Sequence, residues 1–485
     1  MQEKNISIIG RQESPVKTVL RLSLPAILEQ IMFTAVTYVD TAMVGVLGAS
    51  ATAAVGINSS CVWLIGGTLS AMGVGFSVQI AQRAGANDIE GARNVVRTAV
   101  FTCISVGIVA GILLQMIAPF IPIWMGGAPE VIPLAQDYVR IYLMGVPFSI
   151  LAMVFSPTMR SLGNMKTPMI LNISGNLINC VLNFFFIYDT RTLSLFGHEF
   201  TMWGAGWGVS GAAFGTAVSN TFVGLFMFSA VMIRENPLKV PLHTCLHPQK
   251  NIILRMIGIG TPVAFERAIV ASGQVVSTRL VTGLGTLPLA AHHLANTAES
   301  ISYLPGEGIA YAATTLVGQS VGAGDIHKAQ MYGKTCIKVA IAIALFGGLV
   351  LFLFPKQLMG IFSSDMEVIA LGASVLMIEA FAQPMLATST VSSGSFRGAG
   401  DSKWAFYMAA GCMWGIRIPL SYILSVVMGM GLTGIWIAMC LDLNFRGLIC
   451  LLRFRRGKWA GKAVERLKAQ SSRFDPVNQT PAEQE

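Results

Sequence analysis

Residues 21–45 read RLSLPAILEQIMFTAVTYVDTAMVG, an apolar run long enough to cross a bilayer that nonetheless carries two acids, Glu29 and Asp40. Eleven residues separate them. Eleven steps of roughly 100° return to within about 20° of the starting direction, so a helix presents both acids on one face, roughly 16 Å apart. A charge at the bilayer centre costs about 3 kcal/mol on insertion scales, so an acid kept there faces a cavity or a partner, or snorkels to water from near a helix end. Glu29 lies deep in the run, whereas Asp40 is close to the Gly45–Gly48 turn. Asp40 is the acid expected to bind a coupling cation.

The rest of the chain has the same character. Of its 485 residues 53% are hydrophobic and only 12% charged, with a mean hydropathy of +0.64, whereas about a quarter of a soluble domain is charged. This is a polytopic membrane protein, with room for about ten to fourteen spans and none for a soluble catalytic domain. Fifty glycines and twenty prolines suit closely packed, bent helices. The net charge of +9 reflects lysines and arginines between spans and does not call for nucleic acid as a partner. The eight cysteines show no CxxC spacing, which argues against a metal cluster or a disulfide framework. The polar start of the chain does not read as a cleaved signal peptide.

Twelve spans are predicted, starting near residues 17, 51, 94, 131, 167, 206, 252, 286, 330, 367, 404 and 431. Basic residues gather after the even-numbered spans, Arg83, Arg160, Lys166, Lys250, Lys328 and Lys403 among them. Both termini are therefore expected in the cytoplasm of a multi-pass plasma (inner) membrane protein. The predicted division is a cytoplasmic segment 1–16, a first lobe 17–235, a linker 236–250, a second lobe 251–455 and a polar tail 456–485.

The two halves are copies. At a constant offset of 237 residues, Pro25 matches Pro262, Glu29 matches Glu266, Gln82 matches Gln319, and Pro147 matches Pro384. The segment GANDIEGA (85–92) matches GAGDIHKA (322–329), and RSLGNMK (160–166) matches RGAGDSK (397–403). By Gly208 and Gly431 the offset has fallen to 223, a fourteen-residue insertion around DTRTLSLFGHEFTMW in the first half. Six spans per half place the repeats parallel in the membrane, a transporter layout in which two bundles rock about a central cavity.

SLPAILEQ and YVDTAMVG in the first helix, AQRAGANDIEGA after the second, RSLGNMKTP and NLINCVLNFFFIY around the fifth, LPGEGIAYAATTLVGQSVGAGD in the eighth and FRGAGDSK before the eleventh together resemble the multidrug and toxic compound extrusion (MATE) family. The resemblance spans roughly residues 15–455. It implies two six-helix lobes in a V that export organic cations in exchange for inward sodium ions or protons, without a prosthetic group. We expect such a protein to act as a monomer.

The fifth helix carries Asn172, Asn176, Asn179 and Asn183, spaced by four, three and four, which puts four amides on one stripe. They would hydrogen-bond neighbouring helices or offer hard oxygen ligands to a small cation. The resemblance implies a cation site, for sodium or a proton, at Asp40, Asn179, Asn183 and Thr216. Some relatives have an aspartate where this chain has Asn183, which favours weaker sodium binding or a proton. Ser277 stands at the position equivalent to Asp40, so the site is not expected in the second half. Glu29, Asn172, Asn176, Glu266, Gln274 and Glu299 are candidates for the substrate cavity, where an acid would meet a cationic substrate. The alternative for Glu266 or Glu299 is an internal pair with an arginine such as Arg267 or Arg417. Arg160 and Arg397 are expected at the headgroups, and His292-His293 as packing or pore-lining residues. Two rivals remain: a flippase for a lipid-linked substrate, which would line its cavity with basic residues, and an intramembrane transferase, for which no nucleophile and base stand at matching depth.

Overall fold

The hydrocarbon layer offers no water to bond a bare backbone, so each spanning segment has to pair its own amides, and this chain does so with helices. The computed structural model describes residues 7–10, 13–195, 198–232, 238–241, 244–245 and 247–474. The first half contains α1 (Pro15–Gly45), α2 (Ala49–Gly85), α3 (Ile89–Trp124, its last turns distorted), α4 (Ile132–Met144 with Val146–Ser161), α5 (Lys166–Phe186) and α6 (Gly208–Met232). The second half repeats them as α7 (Lys250–Thr282), α8 (Thr286–Gly322), α9 (Ile326–Leu353), α10 (Met366–Ala380 with Gln383–Gly398), α11 (Ser402–Val427) and α12 (Gly431–Arg456).

The bends fall at equivalent places. The two segments of α4 meet at 50° and those of α10 at 57°, each break lying just before Pro147 or Pro384. Proline has no N–H to donate and crowds the preceding turn, so it starts a helical segment well and continues one badly. Eight helices and the two bent pairs are each long and apolar enough to span a membrane. The remaining two, α7 and α8, are the ones loaded with Glu266, Arg267 and Arg279, and with Glu299 and Glu307.

The insertion in the first half is a β-hairpin, β1 (Asp189–Leu195) paired antiparallel with β2 (His198–Ala205). It is a small departure from an all-helical chain. A second departure lies at the far end, where a polar tail was expected. After a left-handed turn at Gly457, α13 (Lys458–Phe474) folds back and buries Trp459, Ala460, Ala463 and Val464 in the core of the second lobe beside Phe454. Its apolar stripe is covered by protein, and the residues beyond 474 lie outside those described.

The lobes meet where α1 packs on α8 and α2 on α7, pairs that the repeat exchanges with each other. At the basic end of the bundle, where α1 begins and the loops carry Lys166 and Lys403, the approach is close. A Cβ on Gly85 would lie 1.8 Å from the carbonyl oxygen of Gln319, and one on Gly322 would lie 1.8 Å from that of Gln82. The amide of Gln82 donates to the carbonyl of Gly398 at 3.0 Å, and that of Gln319 to the carbonyl of Ser161 at 2.8 Å. Further along, Arg267 donates to Ser70 at 2.8 Å, and Tyr38 shares a 3.3 Å hydrogen bond with Ser300. Among the described residues no cross-lobe hydrogen bond lies beyond Tyr38–Ser300, so the polar ties between the lobes gather toward the basic end. Gly85→Ala or Gly322→Ala should each cost roughly 2 kcal/mol or more. Thermal unfolding in detergent checks this, with Gly258→Ala, whose Cβ would meet nothing within 4 Å, as the silent control.

Candidate functional site: two acids, one amide stripe and a charge web

The two acids of α1 and the amides of α5 share one spacing. Asn172 and Asn183 are eleven residues apart, as Glu29 and Asp40 are, and the two helices run side by side in the same direction. Asn172 donates to Glu29 Oε1 at 2.7 Å and Asn183 donates to Asp40 Oδ1 at 2.9 Å. The stripe therefore divides, one end serving each acid. Asn176, half-buried between them, has no hydrogen-bond partner among the described residues.

At the Asp40 end, turning the Asn179 carboxamide so that donors meet acceptors places its nitrogen 2.8 Å from both Asp40 oxygens. Its oxygen then accepts from the Thr216 backbone N–H at 3.1 Å and from the Thr216 hydroxyl at 3.2 Å. Asn183 is buried, and Gly215 of α6 makes room for it, since a Cβ there would sit 2.3 Å from its Oδ1. Three helices thus converge on one carboxylate, and among the described residues no guanidinium or ammonium pairs with it.

Glu29 has a different fate. Arg160, at the end of α4, donates to Glu29 Oε1 at 2.5 Å, and both side chains are about nine-tenths buried. The second lobe repeats the pair, with Arg397 of α10 donating to Glu266 Oε1 at 2.7 Å. Arg160 and Arg397 therefore do not anchor at headgroups. Each turns inward because the facing helix presents an acid at the equivalent depth, and an unpaired charge there costs more than a paired one. The partner of Glu266 is Arg397, neither Arg267 nor Arg417.

A third cluster lies inside the second lobe. Asp442 of α12 is fully buried and accepts from Arg417 Nε and from Arg446, both at 2.9 Å. Arg417 Nη1 also reaches Gln274, at 3.5 Å, although Gln274 itself is exposed. Glu299 accepts from Gln383 at 3.2 Å, and Glu379 is fully buried. His292 accepts at Nδ1 from the Trp436 indole at 3.0 Å, a packing role. Asp442 and Arg446 escaped the sequence reading, although an acid and a base four residues apart on an apolar helix were a signal for a pair.

Two duplicated six-helix lobes, tied to each other at the basic end, and a carboxylate held by amides inside one of them define a polytopic membrane transporter. The chain belongs to the MatE family, whose model matches it twice, over residues 25–185 and 262–423. Membership makes it a transporter and not an enzyme. A "Probable multidrug resistance protein NorM" of Thermotoga maritima is 29% identical over 457 residues, 93% of this chain and 95% of that one. A protein of the same name from Pseudomonas aeruginosa is 27% identical over 87% of this chain and 85% of its own length. Among solved structures, a MATE in complex with MaL6 and an outward-facing multidrug resistance MATE family transporter each superpose with a TM-score of 0.86 at 23% identity, over 95% of this chain and 99% of theirs.

The buried pair gives a thermodynamic prediction. Glu29→Ala alone should cost about 3–5 kcal/mol because it strands Arg160, while Glu29→Leu combined with Arg160→Met should cost much less than the sum. A double-mutant cycle by denaturation checks this, and additive losses would show that the two side chains do not act as a pair.

Proposed function

We propose that this protein is a secondary antiporter that exports organic cations and other drug-like molecules from the cytoplasm, driven by inward movement of a proton or a sodium ion at Asp40. Both termini lie in the cytoplasm, and the protein works as a monomer in the cell's inner membrane. The observation that carries the reading is the Asp40 carboxylate. It is held on α1 by Asn179 and Asn183 of α5 and, through Asn179, by Thr216 of α6, and among the described residues no positive side chain pairs with it. An intramembrane carboxylate without such a partner needs a mobile cation to neutralise it. Asn183 in place of a second acid leaves one charge at the site, enough for one proton or one sodium ion. Were the ion sodium, Asp40 with the unpartnered Asn183 Oδ1 would hold it; were it a proton, the Asp40 carboxylate alone would carry it.

Export of drug-like cations is supported by the multidrug resistance names of the relatives. A flippase for polyanionic lipids is the second reading: of the arginines that could line its cavity, Arg417 is committed to Asp442, whereas Arg140, Arg267 and Arg279 are exposed and pair with no carboxylate among the described residues.

Efflux of a fluorescent lipophilic cation from proteoliposomes, with sodium and proton gradients imposed separately, tests the reading. Asp40→Asn should lower gradient-driven export by about tenfold or more while leaving the protein folded, and the gradient that drives the wild type names the ion. Unchanged gradient-driven export in Asp40→Asn would falsify the coupling role. Because Glu266 is engaged by Arg397, Glu266→Gln should weaken export of cationic and neutral substrates alike. A loss confined to cations would mean that the carboxylate meets the substrate.

A further inference from the structure

The seam between the lobes at the basic end is not closed by helices alone. Gln82 and Gln319, equivalent by the repeat, each donate across the seam to a carbonyl of the other lobe. That leaves each amide oxygen to find a donor, and the two donors are unlike. The oxygen of Gln82 is taken by Arg255, a side chain built into α7. The oxygen of Gln319 is taken by the backbone N–H of Ile8, at 2.9 Å, from the segment that precedes α1.

That segment is seated. Ser7, Ile8 and Ile9 are exposed by only 8, 4 and 6%. The two isoleucines belong to an apolar cluster that straddles the seam, with Val19, Leu22 and Met165 of the first lobe and Ile309, Leu316 and Val317 of the second. The Ile8 side chain fills a notch at Gly163, in the turn between α4 and α5, where a Cβ would come within 2.1 Å of its Cδ1. Gly163 has a φ of +81°, so the turn itself favours glycine, and the missing side chain leaves the notch. At the equivalent Gly400 a Cβ would meet only the Gln82 amide, at 3.6 Å. The second lobe has the notch position without the plug.

We propose that the notch formed by Gly163, Leu22 and Gln319 is a docking surface for the chain's own residues 7–9, and that this segment straps the lobes together at the basic end. The segment holds Gln319 of one lobe through its N–H and the Gly163 turn of the other through its side chain. The lobes cannot separate along Gln319–Ser161 without detaching one of the two holds. Opening at the basic end therefore requires release of the strap, whereas Arg255 on the opposite side moves as part of its own helix. The proposal rests on alternating access and is independent of which ion couples at Asp40.

Hydrogen exchange of the full chain in lipid nanodiscs tests it, comparing the wild type with Ile8→Pro, which removes the N–H, with Ile8→Ala, which empties the notch, and with a chain lacking residues 2–9. The strap predicts exchange about tenfold faster in the shortened chain over residues 315–323 and 158–164, an intermediate rise in the two substitutions, and no change within α3. Equal exchange at the seam in all four proteins overturns the proposal. So does a uniform rise through both lobes, which would show that the segment merely adds general stability.

Discussion

The pairing of a buried carboxylate with a buried guanidinium, made once as Glu29–Arg160 and again as Glu266–Arg397, sets much of what the bundle can do. In an apolar medium neither charge is tolerable alone, so each pair locks the first helix of its lobe to the far end of the fourth. Arg160 has further tasks. Its guanidinium lies 4.4 Å from the centre of the Tyr311 ring on the other lobe, and its carbonyl accepts from Thr315 at 3.1 Å. A charge pair internal to one lobe is thus also a hinge-side contact with its partner, and a change in either lobe is felt at the seam between them.

The duplication is kept where it bears load and abandoned where the lobes take different tasks. Glycine approaches, glutamine cross-bonds and acid–base pairs recur in register at the basic end, because closing a two-lobed shell there needs the same contacts from both sides. Away from that end the first lobe keeps an acid among amides, whereas the second replaces Asp40 with Ser277 and invests its charges in the web of Arg417, Asp442 and Arg446. Two arginines on one aspartate make a stiff anchor between α11 and α12. The first lobe instead leaves Asp40 among amides, with no arginine or lysine paired to it among the described residues.

Much of this was legible in the sequence. The long apolar runs and the 237-residue offset gave twelve helices and two parallel lobes, because span length and repeat register are properties of the chain itself. The asparagine stripe pointed at the α1–α5 contact for a similar reason, since periodicity fixes which face a residue occupies. Partners were harder. Glu29 and Glu266 had been matched, and so had Arg160 and Arg397, but an acid and a base duplicated together were not read as one pair. The positive-inside rule assigns arginines near loops to headgroups, and it says nothing of a turn that carries one inward. The hairpin and α13 were hidden for another reason, because short strands and a docked amphipathic helix look like loop and interface until the surface they cover is known.

The end of α11 carries one more consequence. Two π-helical turns, Met413–Arg417 and Ile423–Val427, interrupt it, whereas its counterpart α5 is a regular helix ending at Phe186. Each residue inserted into a helix rotates everything after it by about 100°. Beyond Met413, positions that count as equivalent along the two sequences no longer point the same way. For that stretch the ancestry of the two halves is a poor guide to geometry, and a homologue's second-lobe residues should be compared by the face they occupy rather than by their place in an alignment.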